Sequence, residues 1–187
     1  MDEQEQEKCP PKKDKHLPKC TKACIVFAME NDAKPSVYIE TSIPSYLTAR
    51  PSNDLRVMAN QSATLDWWET SRQKYDLFIS EFVTAEASKG HPEAAARRLE
   101  AIEDFPELEV TLEVEKLAQA LIAEGPLPKG SEIDAYHISV ATVNGMHYLL
   151  TWNCTHIANA VMRPKVETVC RFHGYEPPII CTPAELP

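Results

Sequence analysis

The chain has 187 residues, enough for one domain with its own core and short for two. Its 43% apolar and 25% charged content is ordinary for a globular protein, and no apolar run approaches the roughly 20 residues that span a bilayer. A formal net charge of −9 counts against a broad basic nucleic-acid surface, though not against a nuclease whose own site is acidic and filled with cations.

Residues 1–34 differ in composition from the remainder of the chain. They are rich in Lys, Glu and Asp, carry prolines and show no amphipathic period, which reads as a disordered N-terminal extension ahead of a domain over 35–187. The short apolar run Ala23–Ala28 is too short for a signal-peptide core and is followed by acid, so the chain reads as cytoplasmic. On that reading the six cysteines are free thiols. Cys9, His16, Cys20 and Cys24 lack the paired spacing of a zinc site.

From Ser36 onward, strands and helices alternate. Val37-Tyr38-Ile39 is a short buried strand. Thr41–Ser52, with its prolines, reads as turn and loop. Asp54 caps a helix that runs to about Lys74. Leu77–Ile79 is a second strand, and a helix from Glu81 to Lys89 stops at Gly90. Pro92 suits the first turn of a helix reaching Glu103. Leu108–Thr111 alternates as a strand, followed by a helix over Glu113–Glu124. Ser131–Asn144 is a helix, Tyr148–Thr151 a strand, Pro164–His173 a short helix and Pro178–Cys181 a last strand. Such alternation predicts an α/β fold in three layers, a mostly parallel sheet flanked by helices. Ligands of such sheets bind outside the carboxyl ends of the strands.

Several side chains suited to metal chemistry fall on that edge. Glu40 ends the first strand and is followed by the hydroxyls of Thr41 and Ser42, a good setting for a hard cation and equally for a solvated strand end. Glu86 lies within a helix, whereas Glu81 suits that helix's start. Asp134 sits in a first helical turn, where the helix dipole favours an acid whatever its role. Asn153 follows a strand, as a turn residue or as an amide oxygen near a metal. Three carboxylates and an amide suit Mg²⁺ or Mn²⁺, and two such ions ~3.5–4 Å apart serve in-line phosphodiester hydrolysis. No Gly-rich phosphate loop is present, which argues against a nucleoside-triphosphate enzyme. His137, one turn after Asp134, and His156, after Asn153, are possible substrate contacts or ordinary structural histidines. Trp67 and Trp68 point apart on their helix, one toward the core and one toward an interface. Arg50, Arg56, Lys89, Arg97 and Arg98 are phosphate contacts or solvated charges.

This order of acids, with Asp134-Ala-Tyr-His ahead of an apolar helix, a strand and the run Thr151-Trp152-Asn153-Cys154-Thr155-His156, resembles PIN-domain ribonucleases of the VapC toxin type. The resemblance spans roughly Val37 to Thr182. It implies a parallel sheet between helices and an acidic cluster that binds Mg²⁺ or Mn²⁺ and cleaves RNA, leaving a 5′-phosphate and a 3′-hydroxyl. Glu40 matches the first family acid, usually Asp; Glu86 matches the second and Asp134 the third. Asn153 stands where many members have Asp, and Thr41 or Ser42 matches the hydroxyl that orients the cluster. Glu40 is one methylene longer than the usual Asp, and Asn153 removes a negative charge, which should weaken a second metal position. The resemblance further implies an RNA substrate, a small antitoxin that inserts into the acidic groove, and a homodimer. The alternative is a catalytically weakened PIN-like domain that binds RNA or a protein.

Overall fold

The computed structural model describes residues 33–187. The expected N-terminal extension, with Cys9, His16, Cys20 and Cys24, therefore lies almost wholly outside the described residues.

Strand β1 (Ser36–Ile39) lies inside the sheet, and Val37, Tyr38 and Ile39 are fully buried. An unbroken apolar run of this kind is what a parallel strand covered on both faces requires. Strand β2 (Asp76–Phe78) pairs with one side of β1, and β3 (Tyr148–Leu150) pairs with the other. Strand β4 (Ile179–Cys181) pairs with β3. The order is β2-β1-β3-β4 and every pairing is parallel. From β1 the chain steps outward to β2 and then crosses back to β3 on the opposite side. The strand order thus reverses between β1 and β3, and in open parallel sheets this is where a ligand crevice forms at the carboxyl edge.

Helices α1 (Ser42–Thr48) and α2 (Leu55–Thr70) with a 3₁₀ turn (Arg72–Lys74) connect β1 to β2. Helices α3 (Glu81–Ala87), α4 (Pro92–Ile102), α5 (Leu112–Ala123) and α6 (Glu132–Val143) lead on to β3, and α7 (Arg163–Phe172) joins β3 to β4. Helices α5 and α6 pack against one another through Val114, Leu117, Ala118, Leu121, Ala135 and Ile138, all buried. Gly90, at φ +89°, takes the left-handed conformation that ends the α3 segment. No described helix is long and apolar enough to cross a membrane.

Two expectations need correction. The segment after Glu40 is not a loop: Ser42–Thr48 is the helix α1. Pro44 stands in its first turn, where an N–H has no helical partner to lose. The turn is closed by Ile43 N to Glu40 O at 3.0 Å and Ser45 N to Thr41 O at 3.2 Å. Nor is Leu108–Thr111 a strand. Contact with the sheet edge is a single bridge from Ile79 to Glu107, flanked by Ile79 N to Pro106 O (3.1 Å) and Leu108 N to Ile79 O (2.8 Å). Pro106 has no N–H with which to extend the ladder.

Trp67 is buried, while Trp68 is half-covered by Phe105 and by the guanidinium of Arg72, 4.9 Å from its ring centre. Among the described residues, Cys154, Cys170 and Cys181 are free, and burial pushes the thiols of Cys170 and Cys181 up to about 11 and about 12.

Helix α2 starts from a strong cap. Asp54 Oδ1 accepts the N–H groups of Arg56 (2.9 Å) and Val57 (3.0 Å). Asp54→Ala is expected to cost about 1 kcal/mol of folding stability, read as a lower urea midpoint at unchanged m-value; an unchanged midpoint would show the cap contributes nothing.

Candidate active site

Glu40 continues β1 by one residue, and its N–H extends the ladder to Leu150 O (3.1 Å). Its side chain lies in the gap between β1 and β3 and is 6% exposed. Oε2 accepts two hydroxyls, Ser42 Oγ at 2.5 Å and Thr151 Oγ1 at 2.6 Å. Each hydroxyl also accepts one backbone N–H from the chain leaving β3: Trp152 N to Ser42 Oγ at 2.7 Å, and Asn153 N to Thr151 Oγ1 at 2.9 Å. A hydroxyl has one proton to give and lone pairs to receive, so each serves here as donor and acceptor at once. The carboxylate is thereby fixed by α1 on one side and by the end of β3 on the other.

Glu86 comes from α3. Its Oε2 accepts Thr41 Oγ1 at 2.7 Å and faces His137 Nε2 at 3.0 Å. His137 is 1% exposed, and its Nδ1 lies 2.8 Å from the Tyr38 hydroxyl, which in turn lies 2.7 Å from Ser80 Oγ. Burial raises the Tyr38 phenol far above its usual range, so it keeps its proton. The His137 hydrogen bond, supported by Thr41, holds Glu86 below the usual carboxylate value against the opposing effect of burial. An ionised carboxylate can only accept, so Nε2 donates its proton to Glu86. A line of hydrogen bonds thus runs from Ser80 through the core to the rear of Glu86. His137 forms the wall behind Glu86 and presents no face to a substrate. Glu81 opens α3 and is exposed.

Asp134 stands in the first turn of α6, the helix that also carries His137. Its Oδ1 accepts Asn153 Nδ2 at 2.9 Å, and its Oδ2 is 2.7 Å from His156 Nδ1, which is also 3.2 Å from Ser131 Oγ. Asn153 Oδ1 accepts the His156 N–H at 3.1 Å. The amide of Asn153 therefore turns its N–H toward Asp134 and its oxygen toward the His156 backbone. His156 is 30% exposed.

The donor set fits a divalent cation. Glu40 and Glu86 spend only Oε2 on hydrogen bonds; Oε1 of each has no partner among the described residues and is not sealed from solvent. Ligand atoms of Glu40, Glu86 and His137 lie within 4.8 Å of one another. Carboxylate oxygens suit Mg²⁺ or Mn²⁺, whereas Nε2 of His137 is already committed to Glu86. Asp134 is outside that trio, joined to it through Asn153 and Thr151. Sequence reasoning singles out Glu40, Thr41, Ser42, Glu86, Asp134 and Asn153, and the structure places all six on one edge. It does not reach Tyr38, Ser80 or Thr151. The available signal was a tyrosine in a fully buried strand, whose hydroxyl needs a partner.

By sequence, the chain matches no protein-family model and no curated protein. By structure, it matches the toxin VapC20 of Mycobacterium tuberculosis, described as cleaving the sarcin–ricin loop, with a TM-score of 0.50 over 67% of this chain and 95% of that one. The fold is PIN-like. Identity over the match is 18%, so the likeness is one of fold. The PIN-like sheet explains the position of the site: β1, β3 and the helices α1, α3 and α6 each deliver a polar side chain to the same edge.

Glu86, held below its ordinary value of 4.5, contributes stability that is fully present above that value and is lost as pH falls through the depressed one. Urea unfolding between about pH 6 and about pH 3 should therefore show a shallower acid loss in Glu86→Gln than in the parent chain; parallel curves would rule out the assigned stabilisation.

Proposed function

We propose that this protein is a metal-dependent endoribonuclease. The observation that supports this best is the pair Glu40 and Glu86, each fixed through Oε2 with Oε1 left open, at the strand-order reversal of a PIN-like fold. Glu40 and Glu86 would hold Mg²⁺ or Mn²⁺, with Asp134 at the neighbouring position. When bound, such an ion polarises a phosphoryl oxygen and activates a water nucleophile.

The chain's own residues supply alignment. Ser42 and Thr151 set the Glu40 carboxylate. Thr41 and His137, backed by Tyr38, set Glu86. His156 and Asn153 orient Asp134, and the exposed side of His156 is the group best placed to meet a substrate phosphate. Asn153 serves as a positioning residue. The physiological reading is a cytoplasmic toxin that acts on RNA and is neutralised by a small antitoxin protein, with a homodimer as the working form.

One observation favours a second reading, a PIN-like module that binds RNA or protein without cutting. Asn153 gives Asp134 an N–H where a further carboxylate would add charge for a second cation. Cleavage of a pool of structured RNAs, with Mn²⁺ or with EDTA, separates the two. The nuclease reading expects cleavage with metal only, and a loss of about 100-fold or more in Asp134→Ala and Glu86→Gln, equivalent to roughly 2.7 kcal/mol of barrier. Intact RNA after incubation with folded, metal-supplied protein would leave the binding module.

A further inference from the structure

Beside the acidic edge, α1 and α4 enclose a cavity of about 340 Å³ lined by Arg50, Arg97 and Arg98 together with His91 and Glu93. We propose that this cavity is a phosphate subsite that holds the backbone of the RNA strand next to the scissile bond. The inference rests on the nuclease reading and adds the surface that positions its substrate.

The arginines are anchored in a way that leaves their charge available. Arg97 Nε donates to Thr48 O (3.2 Å) at the end of α1. Arg98 Nε donates to Ala87 O (3.0 Å) at the end of α3, and its Nη2 donates to Lys89 O. These bonds satisfy carbonyls that a helix end leaves open. They also fix each guanidinium while leaving further N–H groups uncommitted, since the fork carries five donors. Capping alone would account for Arg97 and Arg98. It does not account for Arg50, whose side chain makes no hydrogen bond among the described residues although it lines the same cavity.

Charge pairing gives the second argument. The chain has 28 acidic residues against 19 Lys and Arg. Among the described lysines and arginines, Arg171 alone forms ion pairs, with Glu167 and Glu176. Arg50, Arg97 and Arg98 thus carry no ion pair among the described residues, although Glu93 lines their cavity. What sets these three apart is that they line one concavity, with the positive end of α4 at its rim.

Position decides the ligand class. Helix α1 begins at Ser42, which donates to Glu40, and ends at Thr48, which lines the cavity, a span of about 9 Å at 1.5 Å per residue. Arg98 is tied to Ala87, the neighbour of Glu86. A strand lying along α1 would place one phosphate at the acids and a nearby one among the arginines.

The test is binding of a fluorescent single-stranded RNA, in EDTA, by anisotropy across a salt series. Each phosphate contact contributes about 0.7 to the slope of log K against log salt for a single strand. Arg50→Ala, which removes no internal hydrogen bond, is expected to lower the slope magnitude by about 0.7 and weaken binding with no change in thermal midpoint. Arg97→Lys, which keeps the charge, should retain the slope, and Glu93→Gln should tighten binding. Parent-like affinity and slope in Arg50→Ala and in Arg97→Gln would overturn the subsite while leaving metal-dependent cleavage intact. A parent chain that neither binds nor cleaves RNA would overturn both. Displacement of RNA by poly-glutamate at lower concentration than by unlabelled RNA would overturn the RNA assignment and give the cavity to an acidic protein segment.

Discussion

Two hydroxyl groups hold the Glu40 carboxylate across the junction of β1 and β3, and the rest of the candidate site is arranged around that junction. Ser42 and Thr151 each give their only proton to Oε2 and each receive a backbone N–H from the chain leaving β3. A carboxylate that is 6% exposed needs such donors, because an unpartnered acceptor at that depth would carry the cost of its lost hydration. The same bonds position the Trp152–Asn153 backbone, which sets the amide that meets Asp134. The alignment of Asp134 thus derives from Glu40 through Thr151 and Asn153.

The sheet order makes this possible. With β1 flanked by β2 and β3, the helices leaving β1 and β2 bring Thr41, Ser42 and Glu86 toward the same edge, and α6 brings Asp134 and His137. His137 belongs to the core as much as to the site: its ring lies 5.9 Å from that of Tyr38 and 6.5 Å from that of Phe82. Packing and polar alignment therefore meet in one side chain. Glu86 is oriented by a group that solvent does not reach.

Much of the framework was legible from periodicity. The run Val37-Tyr38-Ile39 and the helix over Glu132–Val143 carry unmistakable patterns, and Glu40 and Asp134 stand out as acids at the ends of apolar elements. Helix α1 was not legible, because a proline three residues into a short segment looks the same in a first helical turn and in a loop. The Leu108–Thr111 segment alternates just as a strand does, but alternation reports a half-covered face rather than a ladder of hydrogen bonds. In the site, Glu40 follows from strand-end logic, whereas Glu86, inside a helix, comes from the family resemblance. The roles of Tyr38, Ser80 and Thr151 follow from neither, since an apolar strand pattern hides a buried hydroxyl. The orientation of the Asn153 amide depends on a neighbour's backbone N–H, for which sequence holds no signal.

The bond between Glu40 and Thr151 joins residues 111 positions apart, and Thr151 is itself braced by its N–H to Cys181 O at 3.0 Å on β4, near the end of the sequence. A growing polypeptide acquires the first acid early but has no partner for it until β3 exists, and no brace for that partner until β4 docks. The cluster consequently cannot form before β3 and β4 have been made. A chain that stops before β3 carries Glu40, Glu86 and even Asp134 but not the hydroxyl of Thr151 that helps to hold Glu40.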